Sequence, residues 1–286
     1  MKRRAFGLGL LCAAAVPRAV SARSVHVHDI VARIPGVTGV YARTLDDAAP
    51  LVSVRAGEPF ASASVIKLAI MVTVYRAYDA GTAAPDDRVP IHAADLIGGS
   101  PVLYYARAGQ RYRMRDLVRA MIQQSDNSAS NALISAFGFT QINGAIRACG
   151  LDATRLGRHF ADVVPAWHVS ANVTTPRDIG TLLYSIEHGS REGLDTVAKA
   201  SSCRAMIDVL LGQEDKSKIA SGLPAGTPCA NKTGEIDGVR NDAAIVDPYG
   251  DAPYVLVVLT RALDDTTAGD RGIAAIARRV NALVRG

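Results

Sequence analysis

An α/β (α+β) fold, one antiparallel sheet flanked by N- and C-terminal helices with an all-helical lobe inserted into it, is predicted by three features of the sequence. Strand-like runs stand at both ends of the chain, helical periodicity fills the middle, and no linker, repeat or low-complexity tract separates them. The ends must therefore pair around the insertion. At 286 residues and 49% hydrophobic content the chain can bury a large core.

Taken in order, Lys2, Arg3 and Arg4 precede an apolar run from Ala5 to Val16, with Val20-Ser21-Ala22 as a small-residue cleavage site. Residues 1–22 thus read as a secretory signal, too short in its apolar part to span a bilayer. Arg3-Arg4-Ala5-Phe6 also resembles a twin-arginine export signal, while Cys12 follows Leu11 where a lipoprotein signal needs a small residue. The formal charge of +5 falls to about +1 once the four basic residues of this segment are removed, so neither nucleic acid nor an anionic membrane is implied as a partner. Cys149, Cys203 and Cys229 remain, enough for at most one intramolecular bridge.

A short helix is expected around Val25 to Arg33, then strands at Val37–Arg43 and Leu51–Arg55 around the turn Leu45 to Pro50. Ser62 to Ala80 follows as a helix capped by Ser62, apolar nearly all round and ended by Gly81. Further helices are predicted at Met114–Gln124, Asn127–Phe137, Thr140–Ala148, Thr175–His188 and Ser201–Leu211. Asp152 to Thr174 has no period and is long enough to be a functional loop. Ala230–Ile236, Val239–Val246 and Tyr254–Thr260 read as strands joined by Asp237-Gly238 and by Pro248-Tyr249-Gly250-Asp251, and Gly269 to Val284 closes the chain as an amphipathic helix. This division makes 23–67 with 215–286 a discontinuous α/β lobe and 68–214 a helical lobe, with the active site between them.

Chemistry concentrates first in the serine helix. Ser64 and Lys67 lie one turn apart on one face, and Ser64 sits where free backbone N–H groups favour developing negative charge. Burial disfavours an ammonium, so a lysine here can serve as a neutral base, as an arginine could not. With six lysines against 26 arginines in the chain, lysine at this position is informative. Two triplets join it: Ser125-Asp126-Asn127 between two predicted helices, and Lys232-Thr233-Gly234 on a strand bordering the expected cleft.

Ser64-Val65-Ile66-Lys67 and these triplets, separated by 61 and 107 residues, resemble the three signatures of serine β-lactamases and penicillin-binding proteins. Gly99-Ser100-Pro101-Val102, Thr174-Thr175-Pro176 and the closing helix extend the resemblance to class A β-lactamases over nearly all of the mature chain. The resemblance implies Ser64 as nucleophile, Lys67 as its proton acceptor, and the backbone N–H groups of Ser64 and Glu235 as the oxyanion hole. It implies Ser125 as a proton relay to the departing nitrogen and Asn127 as a ligand of the substrate amide and of Lys67. Lys232 and Thr233 would hold the substrate carboxylate, Gly234 would let the strand approach the ligand, and Arg240 matches the family's carboxylate-binding arginine within one residue of spacing. A surface salt bridge is the alternative for Arg240, and a bracing role is the reading for Asp126.

One departure is equally informative. Class A enzymes carry a glutamate in the loop after the second motif that activates the deacylating water; here the corresponding run is Arg158-His159-Phe160-Ala161-Asp162, and no glutamate occurs from Asp152 to Ile186. Asp162 is the nearby carboxylate that could replace it, His159 a weaker candidate. The pattern resembles glutamate-lacking class A-like hydrolases, among them small penicillin-binding D,D-peptidases. The expected substrate is therefore a β-lactam or, alternatively, a D-Ala-D-Ala cell-wall peptide, acted on by an exported monomer. No cofactor is implied: His26-Val27-His28-Asp29 lacks metal-site spacing, and Trp167 reads as loop packing.

Overall fold

A computed structural model describes residues 22–47, 49–98, 100–161 and 171–286. The expected signal segment, Trp167 and Asp162 lie outside the described residues, apart from Ala22.

Helix α1 (Ala22–Ala32) leads into β1 (Val37–Thr44) and β2 (Val52–Val54). A two-residue strand, β3 (Phe60–Ala61), precedes a tight 3-10 turn at Ala63–Ile66 that runs straight into α2 (Lys67–Asp79). A small hairpin, β4 (Arg88–Pro90) with β5 (Arg111–Arg113), comes before α3 (Met114–Gln123) and α4 (Asn127–Ala148). Then follow β6 (Val173–Thr174), α5 (Pro176–Glu192), α6 (Ala200–Leu211), the long strands β7 (Cys229–Ile236), β8 (Val239–Val246) and β9 (Tyr254–Arg261), and α7 (Thr266–Arg285).

The five-stranded sheet has the order β2-β1-β9-β8-β7 and is antiparallel throughout, as the strand runs at the two chain ends require. Its two faces close two cores. Val27, Val31, Ile273, Ile276 and Val280 of α1 and α7 cover Val40, Ala244 and Leu256 on one face. Across the other, Tyr41, Ile245, Val255 and Val257 meet α5 and the helical bundle around α2. Every residue of α2 from Lys67 to Val74 is buried, so the apolar sequence of this helix is explained by helices or sheet on all sides.

The separate helices expected at Asn127–Phe137 and Thr140–Ala148 are joined end to end as α4, with Gly138 at φ 75°, ψ 153° breaking the helical path between them. That φ is open to glycine at little cost. Differences from the sequence reading cluster in short elements. Ser62 does not cap the serine helix: its hydroxyl donates to the Asn172 carbonyl at 3.0 Å, and its own N–H does the same at 3.0 Å. The turn is held by the β3–β6 pair instead, which at two residues a strand is too short to show alternation.

Glu187 on α5 is 1% exposed, and neither carboxylate oxygen has a hydrogen-bond partner among the described residues. Burial, opposed by Arg191 and Arg204 and aided by Asp247, raises its pKa from 4.5 to about 7. The native state therefore holds a proton that the unfolded chain releases, and stability falls as pH rises between about 4.5 and 7. Glu187→Gln is expected to flatten that slope and to exceed the parent by about 2–3 kcal/mol above pH 7. Urea melts at pH 5 and pH 8 check it, and identical pH dependence in parent and variant would refute it.

Candidate active site

The 3-10 turn presents Ser64, half-buried, at the floor of a cleft of about 440 Å³ between the α3–α4 junction and β7. Lys67, one turn on, is fully buried. Its Nζ donates to the Ser125 carbonyl at 2.6 Å and to Asn127 Oδ1 at 2.8 Å, and lies 3.2 Å from Ser125 Oγ. On its remaining side the Phe160 ring covers it, centroid 4.4 Å away. Burial, then the charge of Lys232, pull its pKa well below the ordinary lysine value, against a smaller opposing effect of Asp126. A neutral amine has two hydrogens and one lone pair. The carbonyl and amide oxygens take the hydrogens, leaving the lone pair to accept a proton from a serine hydroxyl.

Ser125 bridges two lysines. Lys232, also fully buried, donates to Ser125 Oγ at 3.0 Å and to the Thr233 carbonyl at 2.8 Å, and burial brings its pKa down to about 7. The Ser125 backbone is left-handed, at φ 58°, a conformation uncommon outside glycine and found where a site holds strain. Asp126 holds it there: its Oδ1 accepts from the Ala129 N–H at 2.8 Å as the cap of α4, and its Oδ2 accepts from Val102 and Leu103 at 2.9 and 2.8 Å. The bracing role expected for Asp126 is the one observed.

The family model described as "Beta-lactamase enzyme family" matches residues 23–284. The chain belongs to the β-lactamase enzyme family. β-Lactamase L2 of Stenotrophomonas maltophilia is 30% identical over 240 residues, which cover 82% of this chain and 77% of that protein. β-Lactamase OXY-1 of Klebsiella oxytoca is 29% identical over 286 residues, 95% of each chain. Among solved structures, PBP-A superposes with a TM-score of 0.82 at 26% identity, covering 93% of this chain and 96% of its own. A β-lactamase from Sphaerobacter thermophilus gives 0.81 at 30% identity, covering 93% and 97%.

Within this β-lactamase framework Gly234 lines the cleft and also answers a second steric demand. A Cβ at that position would stand 2.9 Å from the Ser64 nitrogen and 3.1 Å from the Val65 nitrogen, so the missing side chain lets β7 press against the serine turn itself. Gly234→Ala is expected to push that turn aside, costing about 1–3 kcal/mol of stability and at least about tenfold in acylation. Thermal melts and adduct kinetics measure both; parental values in each would remove the steric argument.

Thr233, Glu235 and Asn127 line the cleft with Ser64 and Ser125. Arg240 does not line it: the guanidinium donates to the Ile236 and Val239 carbonyls at 3.3 and 2.9 Å, with Nε 3.7 Å from Asp270 on α7. A cation that sequence reasoning missed, Lys218, engages two carboxylates that line the cleft, Asp215 and Glu235. Its buried ammonium donates to Asp215 at 2.9 Å and to Glu235 at 2.5 Å, and these bonds outweigh burial to hold its pKa above the ordinary value. The signal was present as an Asp-x-x-Lys spacing in a chain poor in lysine.

Below Ser64 a small recess of about 70 Å³ is lined by Asn127, Phe160, Ala161 and Asn172. Asn131, also missed, fixes its wall by accepting from the Phe160 N–H at 2.8 Å and donating to the Phe160 carbonyl at 3.0 Å. Asn131 lies four residues beyond Asn127 on the buried side of α4, and a fully buried asparagine is its own signal. His159 packs edge-on against Phe139 at 5.0 Å and is not among the residues lining the recess.

Proposed function

We propose that the protein is an exported serine hydrolase of class A β-lactamase type that opens the β-lactam amide through a Ser64 acyl-enzyme. The observation that carries this reading is the Ser125 hydroxyl held between two buried lysine amines beside Ser64. Lys67 takes the Ser64 proton as Oγ attacks the carbonyl, and the N–H groups of Ser64 and Glu235 stabilise the oxyanion. Ser125 then passes a proton to the departing nitrogen, with Lys232 keeping its hydroxyl oriented. Asn127 binds the substrate amide, and Lys232 and Thr233 the carboxylate side, while Arg240 stays in its contacts with Ile236, Val239 and Asp270. The cleft lies between an α/β lobe of 23–67 with 215–286 and a helical lobe of 68–214. Residues 1–22 direct export, and the mature chain acts as a monomer.

A second reading draws on Phe160. Among the described residues, no carboxylate lines the recess beside Ser64 apart from Glu235, whose side chain is engaged by Lys218, and Phe160 fills the place of the class A glutamate. Slow release favours a penicillin-binding D,D-carboxypeptidase or endopeptidase of D-Ala-D-Ala peptides. It is supported by the likeness to PBP-A, of which a leucine-to-glutamate variant is described as an acyl-enzyme complex with penicillin G.

Intact-protein mass spectrometry with a penicillin, followed alongside drug consumption, tests both. A Ser64 adduct that clears while many equivalents of drug disappear supports the lactamase, and one that persists at a single equivalent supports the second reading. Ser64→Ala is expected to form no adduct; an adduct in that variant would dispose of both.

A further inference from the structure

A groove of about 530 Å³ opens between α2, α3 and α6, separated from the reaction cleft by Gln123, whose side chain reaches both. Gln123 is fixed as this partition by its Nε2–H, which donates to the Val209 carbonyl at 3.2 Å. Tyr75 and Tyr78, edge to face with ring centroids 5.4 Å apart, line the groove with Val118 and Val209. Arg115 at one end is committed to Asp86 at 3.0 Å, and Asp208 at the other accepts from the Tyr249 hydroxyl at 2.6 Å. Arg119 differs from both. It is exposed at the rim, and its guanidinium makes no hydrogen bond or ion pair with any described residue.

Two further observations bear on what could sit there. The Tyr78 hydroxyl oxygen is buried without a partner among the described residues, so Tyr78 enters the groove wall with an uncommitted O–H. Burial raises the pKa of both phenols, so each remains an O–H donor at neutral pH. The volume falls in the range of small-molecule sites, and flat apolar walls with a few convergent donors are their usual lining.

We propose that this groove is a second binding site, distinct from the Ser64 cleft, for a small aromatic anion such as an aryl carboxylate. The ring would lie against Val118, Val209 and the tyrosines, and the carboxylate would take the free Arg119 fork, for which a planar bidentate partner is the best match. A cation of the same shape would meet the free Arg119 and find in the lining only the Asp208 carboxylate, which already accepts from Tyr249, so the anion is favoured over it.

The test is calorimetric titration of the intact protein with 1-naphthoate and, separately, with 1-naphthylmethylammonium. Naphthoate is expected to bind saturably at one equivalent and at least about tenfold more tightly than the ammonium. Arg119→Gln, at an exposed position, should weaken naphthoate about fivefold. Ala205→Phe, which fills the groove from α6 far from Ser64, should abolish binding. Absence of saturable binding, equal affinity for the two ions, or naphthoate affinity unmoved by both substitutions would overturn the proposal.

Discussion

Lys67→Met is expected to slow acylation of Ser64 by about 10²- to 10⁴-fold, the usual worth of a positioned general base. Methionine fills nearly the same volume and suits an apolar surrounding, so the fold should survive. The cost to stability comes from the Ser125 carbonyl and Asn127 Oδ1, which lose their donor at about 1–3 kcal/mol each. Lys67→Arg separates charge from basicity, because a guanidinium keeps the positive charge but cannot give up its proton, and it should be as slow as the methionine variant. The pH dependence carries the same signature. With the Lys67 pKa held low by burial and by Lys232, the neutral amine is present well below the pH at which an ordinary lysine loses its proton. Lys232 must stay charged to bind a carboxylate, and its pKa of about 7 places the alkaline limb of the second-order acylation rate there, falling as pH rises. Rapid-mixing mass spectrometry across pH reads both limbs. An acylation rate that Lys67→Met leaves unchanged would assign the proton transfer to another group.

Phe160→Glu should act on the opposite half of the reaction, raising deacylation by about 10²- to 10⁴-fold. The main chain at this position is clamped by Asn131 on both its N–H and its carbonyl, so a new side chain would leave from the same point in the recess. A glutamate there would bring a carboxylate close to the space now filled by the ring that covers Lys67, next to Ser64. Its charge would also raise the Lys67 pKa, so faster release should come with a slower approach to the adduct below neutral pH. The adduct lifetime after removal of free drug measures the effect. A lifetime equal to the parent's would mean that the attacking water does not use this recess.

The architecture was legible because it rests on long periodic segments. β7, β8 and β9 are eight residues each, and their hairpin turns carry Asp237-Gly238 and Tyr249-Gly250, signals that survive without tertiary context. The catalytic groups were legible for a different reason: Ser64 with Lys67 and the triplet at Ser125 are local in sequence, and the buried lysines are conspicuous where arginine predominates. What escaped depends on encounters between distant segments. Ser62 has a capping residue's chemistry, yet Asn172, 110 positions away, takes its hydroxyl. Lys218 and Glu235 meet only because β7 returns past the segment after α6, and Asn131 holds Phe160 only because the loop folds back over α4. Gly234 lines the cleft as the ligand-approach reading expects, and its second constraint, the chain's own serine turn against it, shows only in the fold.

The pairing of β1 with β9 joins residues 37–44 to 254–261 at eight consecutive register positions. Each of those pairs closes a loop of more than 200 residues, among the most non-local contacts a chain of this length can make. The central strand of the sheet is thus made more than 200 residues after its neighbour β1, and at about 5–20 residues per second that first strand waits tens of seconds for its partner. Until then Lys232 has no finished sheet to carry it to Ser125. The hydrolytic machinery is therefore completed only after β9 has been made, because the sheet that carries β7 is unfinished until then.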